Sequence, residues 1–342
     1  MRVLLLKLSS MGDIIHTLPA IDDAYKAFPE IRFTWLLEAG FQEIAHWHPA
    51  VEQVIVTSLR GRDLAKIANS VKQLRQNYFD VIIDAQGLIK SAILTRLARG
   101  NLRIGYDKKS CREGAASVFY TKKIAVAKNL HAIERMRQLF AAGFGYQLPT
   151  RSIEYGVNWQ QLINSVVTVP LQSQSDQPYL VFLHGTTWDT KHWPEEYWLS
   201  LVDLAAQQGF KVQVTWATAE QKMRAQRFAA YSKAVVMLPH LSINQAAAVL
   251  HNARAVVAVD TGFAHLSAAM NKPLVAIYGA SDVKKAGTVG AKSINLAANF
   301  SCSPCNRREC SYISESAIKP PCLQQITPQL VWDKLMSIKG IL

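Results

Sequence analysis

Val/Ile/Leu-rich runs alternate with amphipathic stretches, and the alternation occurs twice, on either side of a polar aperiodic segment. This pattern predicts an α/β chain of two doubly wound domains. A length of 342 residues is too great for one ordinary core and suits two domains of about 150–170 residues. With 49% apolar and 18% charged residues, the composition is that of a folded chain rather than a disordered one.

In the first half the strand candidates are residues 3–8, 32–37, 51–56 and 81–84, with helical periodicity near 14–27 and 63–78. The opening run reads as a strand rather than a secretory leader, because Lys7 interrupts it and no small-residue cleavage site follows. The second half offers strands at 179–183, 211–216, 235–238, 255–259 and 274–278, and helices near 195–208, 220–231, 243–252 and 262–270. No apolar run approaches the ~18–20 residues that cross a bilayer, so a soluble protein is expected. The polar stretch 169–176 reads as the linker. The expected domains are therefore 1–168 and 169–327, with a closing C-terminal helix in 328–342. Two such lobes imply a ligand cleft between them, at the carboxyl ends of their strands.

The strand at 255–259 runs into Asp260-Thr261-Gly262-Phe263-Ala264-His265. A glycine at a strand-to-helix turn lets a phosphate reach backbone N–H groups, and the helix dipole favours its charge. Thr261 adds a hydroxyl and His265 sits one turn in; an ordinary capped helix start is the alternative. The same half holds a second junction, His184-Gly185-Thr186-Thr187, followed by Lys191 and by Pro194 at an expected N1 position. Hydroxyls, amides and one ammonium would clamp a leaving diphosphate without a metal; otherwise Lys191 is a solvated surface lysine. The spacing is not that of a Walker A loop. In the first half, the strand at 3–8 leads into Ser9-Ser10-Met11-Gly12-Asp13. There Gly12 would permit a tight turn, and Asp13 is either a helix N-cap or a general base for an acceptor hydroxyl.

Formal net charge is +13, and residues 58–137 supply most of it, with 17 Lys+Arg against 6 Asp+Glu for a net of +11. Such a block is either a solvated basic surface or a site for phosphate-bearing partners, whether nucleic acid, anionic lipid or an acidic substrate. No nucleic-acid recognition motif accompanies it, and aromatics are not interleaved as a stacking platform would need, so no nucleic-acid partner is expected. Five cysteines without a leader argue against a disulfide scaffold and for a reducing compartment. Cys302, Cys305, Cys310 and Cys322 have a spacing that could close a zinc tetrahedron, but only one true CxxC pair is present, and reduced loop thiols are preferred.

Four segments carry a resemblance along nearly the whole chain. They are Lys7-Leu8-Ser9-Ser10-Met11-Gly12-Asp13-Ile14-Ile15-His16-Thr17-Leu18-Pro19, Asp84-Ala85-Gln86-Gly87-Leu88-Ile89-Lys90-Ser91, Lys191-His192-Trp193-Pro194-Glu195-Glu196 and Val259-Asp260-Thr261-Gly262-Phe263-Ala264-His265-Leu266. In this order they resemble the bacterial lipopolysaccharide heptosyltransferases, most closely the branch adding the first heptose. The resemblance implies a glycosyltransferase B-type fold, two Rossmann-like domains facing across a cleft. It implies an inverting, cofactor-free and metal-free transfer from ADP-heptose, bound by the C-terminal domain, to the Kdo sugar of Kdo-lipid A, bound by the N-terminal one. Carried over by position, Asp13 looks like the base and Lys191 the residue balancing diphosphate charge. Thr186, Thr187, Asp260, Thr261, Gly262 and His265 resemble the donor pocket. The family's acidic donor contact falls by ungapped counting on Gln221, so Glu220 beside it is taken instead. On the acceptor side stand Ser10, Gly12, Arg60, Arg62, His131 and Arg135, with Lys108, Lys109 and Arg112 in the same basic block. A carboxylate near bound anions would have a raised pKa, which would suit Asp13 as a base. A monomer is expected, in the cytoplasm and held peripherally at the anionic inner membrane. The competing readings are a second heptosyltransferase with a heptose acceptor, a nucleotide-sugar epimerase of the same fold, and a nucleic-acid-binding protein.

Overall fold

Val3, Leu4, Leu5 and Leu6 are all inaccessible to solvent, which requires a strand covered on both faces. The computed structural model, which describes residues 1–166, 177–312 and 318–341, builds this arrangement in each of two compact units, Met1–Asn158 and Trp159–Leu342. The expected linker at 169–176, and with it the expected boundary, lies outside the described residues.

The first unit runs β1 (Arg2–Leu6), α1 (Met11–Ile15), α2 (Leu18–Ala27), β2 (Arg32–Glu38), α3 (Gln42–Ala45), β3 (Val51–Thr57), α4 (Leu64–Gln76), β4 (Tyr78–Asp84), α5 (Ile89–Leu97), β5 (Arg99–Tyr106), β6 (Lys122–Ile124) and α6 (Ala132–Phe144). Its sheet is parallel with order β3-β2-β1-β4-β5-β6. Alternation along β1 sends Leu4 and Leu6 to one face, where they pack with Leu74 of α4 and Leu94 of α5. Phe33 of β2 stacks on Phe140 of α6, their ring centroids 6.1 Å apart.

The second unit runs α7 (Trp159–Ser165), β7 (Tyr179–Leu183), α8 (Glu195–Gln207), β8 (Lys211–Val214), α9 (Ala219–Tyr231), β9 (Val235–Met237), α10 (Ile243–Asn252), β10 (Ala255–Val259), α11 (Gly262–Ala269), β11 (Leu274–Tyr278), α12 (Val283–Ala286), β12 (Ser293–Ala297) and α13 (Pro328–Met336). Its parallel sheet has order β12-β11-β10-β7-β8-β9, the same winding as the first. Trp198, Leu201 and Val202 of α8 and Val331 and Leu335 of α13 fill the core against β7, β8 and β10.

In each sheet the first strand is flanked by the second and the fourth, so the chain leaves it in opposite directions. The loops after β1 and β4, and after β7 and β10, part there and open a crevice at the carboxyl ends, where ligands of such sheets bind. All four segments carrying the resemblance lie at or near these ends.

Three expected details change. The helix at 14–27 is broken into α1 and α2, with Pro19 in the first turn of α2, a position that lacks an obligatory N–H donor. Pro194 is the N-cap of α8 rather than N1. Gly12 is the second residue of α1 and has no left-handed φ, so no tight turn depends on it; the left-handed glycine of this region is Gly87, at φ 65°.

Candidate active site

In the first unit the turn after β1 is organised around Asp13. The reading of Asp13 as N-cap is displaced: Ser10 is the N-cap of α1 and Asp13 stands at N3. The Ser10 backbone N–H donates to Asp13 Oδ2 at 2.8 Å, and the Ser10 hydroxyl donates to the same oxygen at 3.1 Å. The buried Lys7 ammonium lies 3.4 Å from Asp13 Oδ1 and the same distance from the Ala85 carbonyl oxygen. Asp13 itself keeps 35% of its side chain open to solvent. Burial alone would raise its pKa, but the Lys7 charge and the Ser10 hydrogen bonds outweigh it and hold the carboxyl below its ordinary value. This reverses the expected direction: the nearest charge is a cation built into the strand end.

The segment Asp84–Gly87 supports that turn from β4. Asp84 Oδ1 accepts from the N–H groups of Gln86 (2.8 Å) and Gly87 (3.1 Å), while Oδ2 accepts from the Tyr120 hydroxyl at 2.8 Å. Gln86 Oε1 in turn accepts from the Leu8 N–H at 3.0 Å, which ties the two strand ends together. Asp84 is fully buried, and burial raises its pKa.

The remaining residues on the acceptor side divide. His131 caps α6 through Nδ1, which accepts from the Ile133 N–H, and its ring lies 5.4 Å from that of His16 at the end of α1. Arg135 donates to the Ser110 carbonyl at 2.7 Å and lies over the Tyr106 ring at 5.0 Å. Arg60 and Arg62 belong to the β3–α4 loop, where the Arg60 N–H donates to Glu38 Oε1. Among the described residues the structure gives neither arginine a bond to Ser10 or Asp13.

In the second unit Lys191 and Asp260 come together, with Nζ 2.7 Å from Oδ2. The Thr186 hydroxyl donates to the Asp260 carbonyl at 3.1 Å, joining the loops after β7 and β10. His265 Nε2 lies 3.9 Å from Asp260 Oδ1, and Thr187 is exposed. His184, at the end of β7, is fully buried; burial, with Arg224 and His192 nearby, pushes its pKa down to about 3, so it is neutral.

The start of α11, like those of α2, α3 and α8, carries no side-chain cap. Asp63, Thr218, Ser242 and Thr327 each accept from a first-turn N–H of α4, α9, α10 and α13. Thr261 is the N-cap of α11 and makes no such bond. The positive end of α11, beside Lys191, is therefore not consumed by its own cap, the condition an anion site needs.

Glu220 is 72% exposed and paired with Arg224, whereas its neighbour Gln221 packs on Gly185 and accepts from the Ala217 N–H at 2.9 Å. A Cβ on Gly185 would meet the Gln221 amide carbon at 2.6 Å, so this glycine lets the start of α9 pack on the loop after β7. Sequence reasoning passed over Lys7, Trp188 and Arg308. Lys191 Nζ sits 4.2 Å from the Trp188 ring centroid, and the Arg308 guanidinium 5.8 Å from the same centroid. A lysine inside an otherwise apolar strand end was the available signal for Lys7; Arg308 is distant in sequence and gave none. The four clustered cysteines are free thiols, Cys322 buried with its pKa pushed up to about 11, mainly by burial. Among the described residues no group of three or more His, Cys, Asp or Glu is arranged to hold a metal ion.

Residues 67–314 match the model of glycosyltransferase family 9 (heptosyltransferase). The chain is 41% identical to lipopolysaccharide heptosyltransferase 1 of Pseudomonas aeruginosa, over 99% of its own length and 98% of that relative's. It is 42% identical to lipopolysaccharide heptosyltransferase 1 of Escherichia coli strain K12, over 85% and 91% of the two chains. Among solved structures, E. coli heptosyltransferase WaaC with ADP matches with a TM-score of 0.84 at 38% identity, covering 98% of this chain and 99% of that one. The two doubly wound sheets are thus those of the expected glycosyltransferase B-type fold, and the chain belongs to glycosyltransferase family 9, the heptosyltransferases.

Proposed function

We propose that this enzyme transfers L-glycero-D-manno-heptose from ADP-heptose to the Kdo sugar of Kdo-lipid A, with inversion at the anomeric carbon. The observation that carries the reading is the 41% identity to a lipopolysaccharide heptosyltransferase 1 across 99% of the chain. The site chemistry supports it. A single displacement needs a base on the acceptor and a stabilised leaving group. Asp13, held ionised by Lys7 and Ser10, accepts the proton of the attacking Kdo hydroxyl as the new C–O bond forms. The anomeric C–O bond to the diphosphate breaks, and its electron pair leaves with ADP. Lys191, the Thr186 and Thr261 hydroxyls and the uncapped start of α11 take up that charge.

Ser10 positions Asp13, His131 borders the same turn through His16, and Arg135 reaches the loop after β5 at Ser110. Arg60, Arg62 and the rest of the 58–137 block, with its net +11, serve anionic acceptor groups and hold the enzyme peripherally at the cytoplasmic face of the inner membrane. No helix among the described residues is long and apolar enough to cross a membrane.

The test is incubation with ADP-heptose and Kdo-lipid A, following ADP release and product mass. Release of ADP with addition of one heptose is expected, and none with that pair sinks the reading. A product formed only on an already heptosylated acceptor would point to the second-heptose reaction. Asp13→Ala should abolish transfer while ADP still binds; normal turnover in that variant removes Asp13 as base.

A further inference from the structure

The charge balance around Lys191 is the starting point. Lys191 is matched by Asp260 at 2.7 Å, and His184 is neutral, so these groups leave no net positive charge to meet a diphosphate. The uncapped start of α11 supplies only a partial charge. A full cation with no carboxylate partner is needed, and the loop after β12 brings one.

That loop lies across the carboxyl ends of the second sheet. The Ser303 hydroxyl donates to the Gly279 carbonyl at 2.6 Å and the Asn306 N–H to the Ala280 carbonyl at 2.8 Å, both just beyond β11. The loop then reaches the turn after β7. There the buried Thr190 hydroxyl donates to the Arg307 carbonyl at 2.6 Å, and the Thr190 N–H to the Arg308 carbonyl at 3.3 Å. The sheet order β12-β11-β10-β7 puts β10, and so Asp260, between those two anchor points. From this anchorage the Arg307 side chain turns to the Ser311 hydroxyl. Arg308 turns to the Trp188 ring, which also carries Lys191. Arg308 is exposed, and among the described residues no carboxylate lies within ion-pair distance of it.

We propose that Arg308, delivered by the 300–310 loop and seated beside Lys191 on Trp188, is the second cation that grips the β-phosphate of the nucleoside diphosphate. The inference rests on the donor reading above and adds a phosphate-contacting residue to it. An arginine fork suits this position because it can hold two phosphate oxygens at once and keeps its charge at any working pH. Thr190 is the positioning residue: its buried hydroxyl and amide fix the backbone from which Arg308 extends.

The experiment is calorimetric titration of the full chain with ADP and with AMP, which lacks the β-phosphate, for the parent, Arg308→Gln and Arg308→Lys. Arg308→Gln should weaken ADP binding by about tenfold or more and leave AMP within about twofold, with Arg308→Lys recovering part of the loss. ADP affinity unchanged in Arg308→Gln overturns the proposal. Equal weakening of ADP and AMP also overturns it, since a merely structural loop would harm both alike. A parent chain that binds no ADP refutes the donor reading itself, an outcome distinct from failure of Arg308 alone.

Discussion

Lys7→Met should uncouple Asp13 from the cation that keeps it ionised. In the parent, Lys7 Nζ and Asp13 Oδ1 are 3.4 Å apart. At that distance the attraction is roughly 5 kcal/mol at an effective dielectric of 20 and about 1.2 kcal/mol at that of water. Because Asp13 is 35% exposed, solvent screening brings the working value toward the lower figure, about 1–2 kcal/mol. Losing it reduces the ionised fraction of Asp13 about tenfold at pH values acidic enough for the carboxyl to be mostly protonated. Well above that range both enzymes hold the base fully ionised. Methionine fills much of the lysine volume, and the Ala85 carbonyl loses only a long contact of 3.4 Å, so the fold should survive. The assay is the pH dependence of kcat/KM for ADP release. The parent, whose Asp13 titrates below the ordinary 3.8, should still hold more than half of this group ionised at that pH and lose activity through it only below. The variant should lose activity at higher pH than the parent and match it at neutrality. Coincident acid limbs, or an equal loss at every pH, would refute the argument; the second result would make Lys7 a substrate contact instead.

Lys191→Met removes the partner of Asp260 in a site where their side chains are 16% and 10% exposed, so kcat for transfer should fall on the order of a hundredfold. Turnover within twofold of the parent in steady-state assays would remove Lys191 from leaving-group stabilisation. Asp22, 5% exposed, lies against Lys26, His48 and Arg151. Burial alone would raise its pKa, but the His48 and Lys26 hydrogen bonds and the Lys26 charge lower it on balance. A depressed folded pKa contributes stability above the ordinary 3.8 that is lost as pH falls through the folded value. Asp22→Asn should therefore lower the melting temperature at pH 7 and lose less than the parent on acidification below 3.8, as followed by circular dichroism. Parallel acid profiles for the two proteins would show that Asp22 does not carry the effect.

What could be read directly from the sequence follows the burial of the strands. β1, β7, β10 and β11 are almost wholly inaccessible and announce themselves as apolar runs. β5 was missed because Gly100 and Arg103 interrupt it and only Ile104–Tyr106 is buried; β12 was missed because it is a half-exposed edge. In the site, strand-to-helix glycines and hydroxyls pointed to both switch points. The electrostatics did not show, because each depends on a partner brought by the fold. Lys7 looked like a break in a strand, and only the structure turns it toward Asp13. Asp84 was one letter of a motif until its two backbone donors and Tyr120 made it a buried brace. Counting along the chain could not choose between Glu220 and Gln221; helix phase sets them apart, turning the first to Arg224 and the second onto Gly185.

The two units share one device, an aspartate at the switch point matched by a lysine, Lys7 with Asp13 and Lys191 with Asp260. On the proposed reaction the device does opposite things. In the first unit it keeps the base ionised at the cost of basicity, since a carboxyl held below its ordinary pKa is a poor proton acceptor. Such a base suffices only if the acceptor proton departs late, when the anomeric bond to the diphosphate is already well broken. The barrier then depends chiefly on how well the second unit stabilises the departing charge. There Lys191 is shared with Asp260 and cannot balance a diphosphate alone, so part of the work falls on the uncapped start of α11 and on a cation from elsewhere. A weak base in one unit thus strengthens the case for an additional positive charge in the other, and Arg308 is placed to supply it.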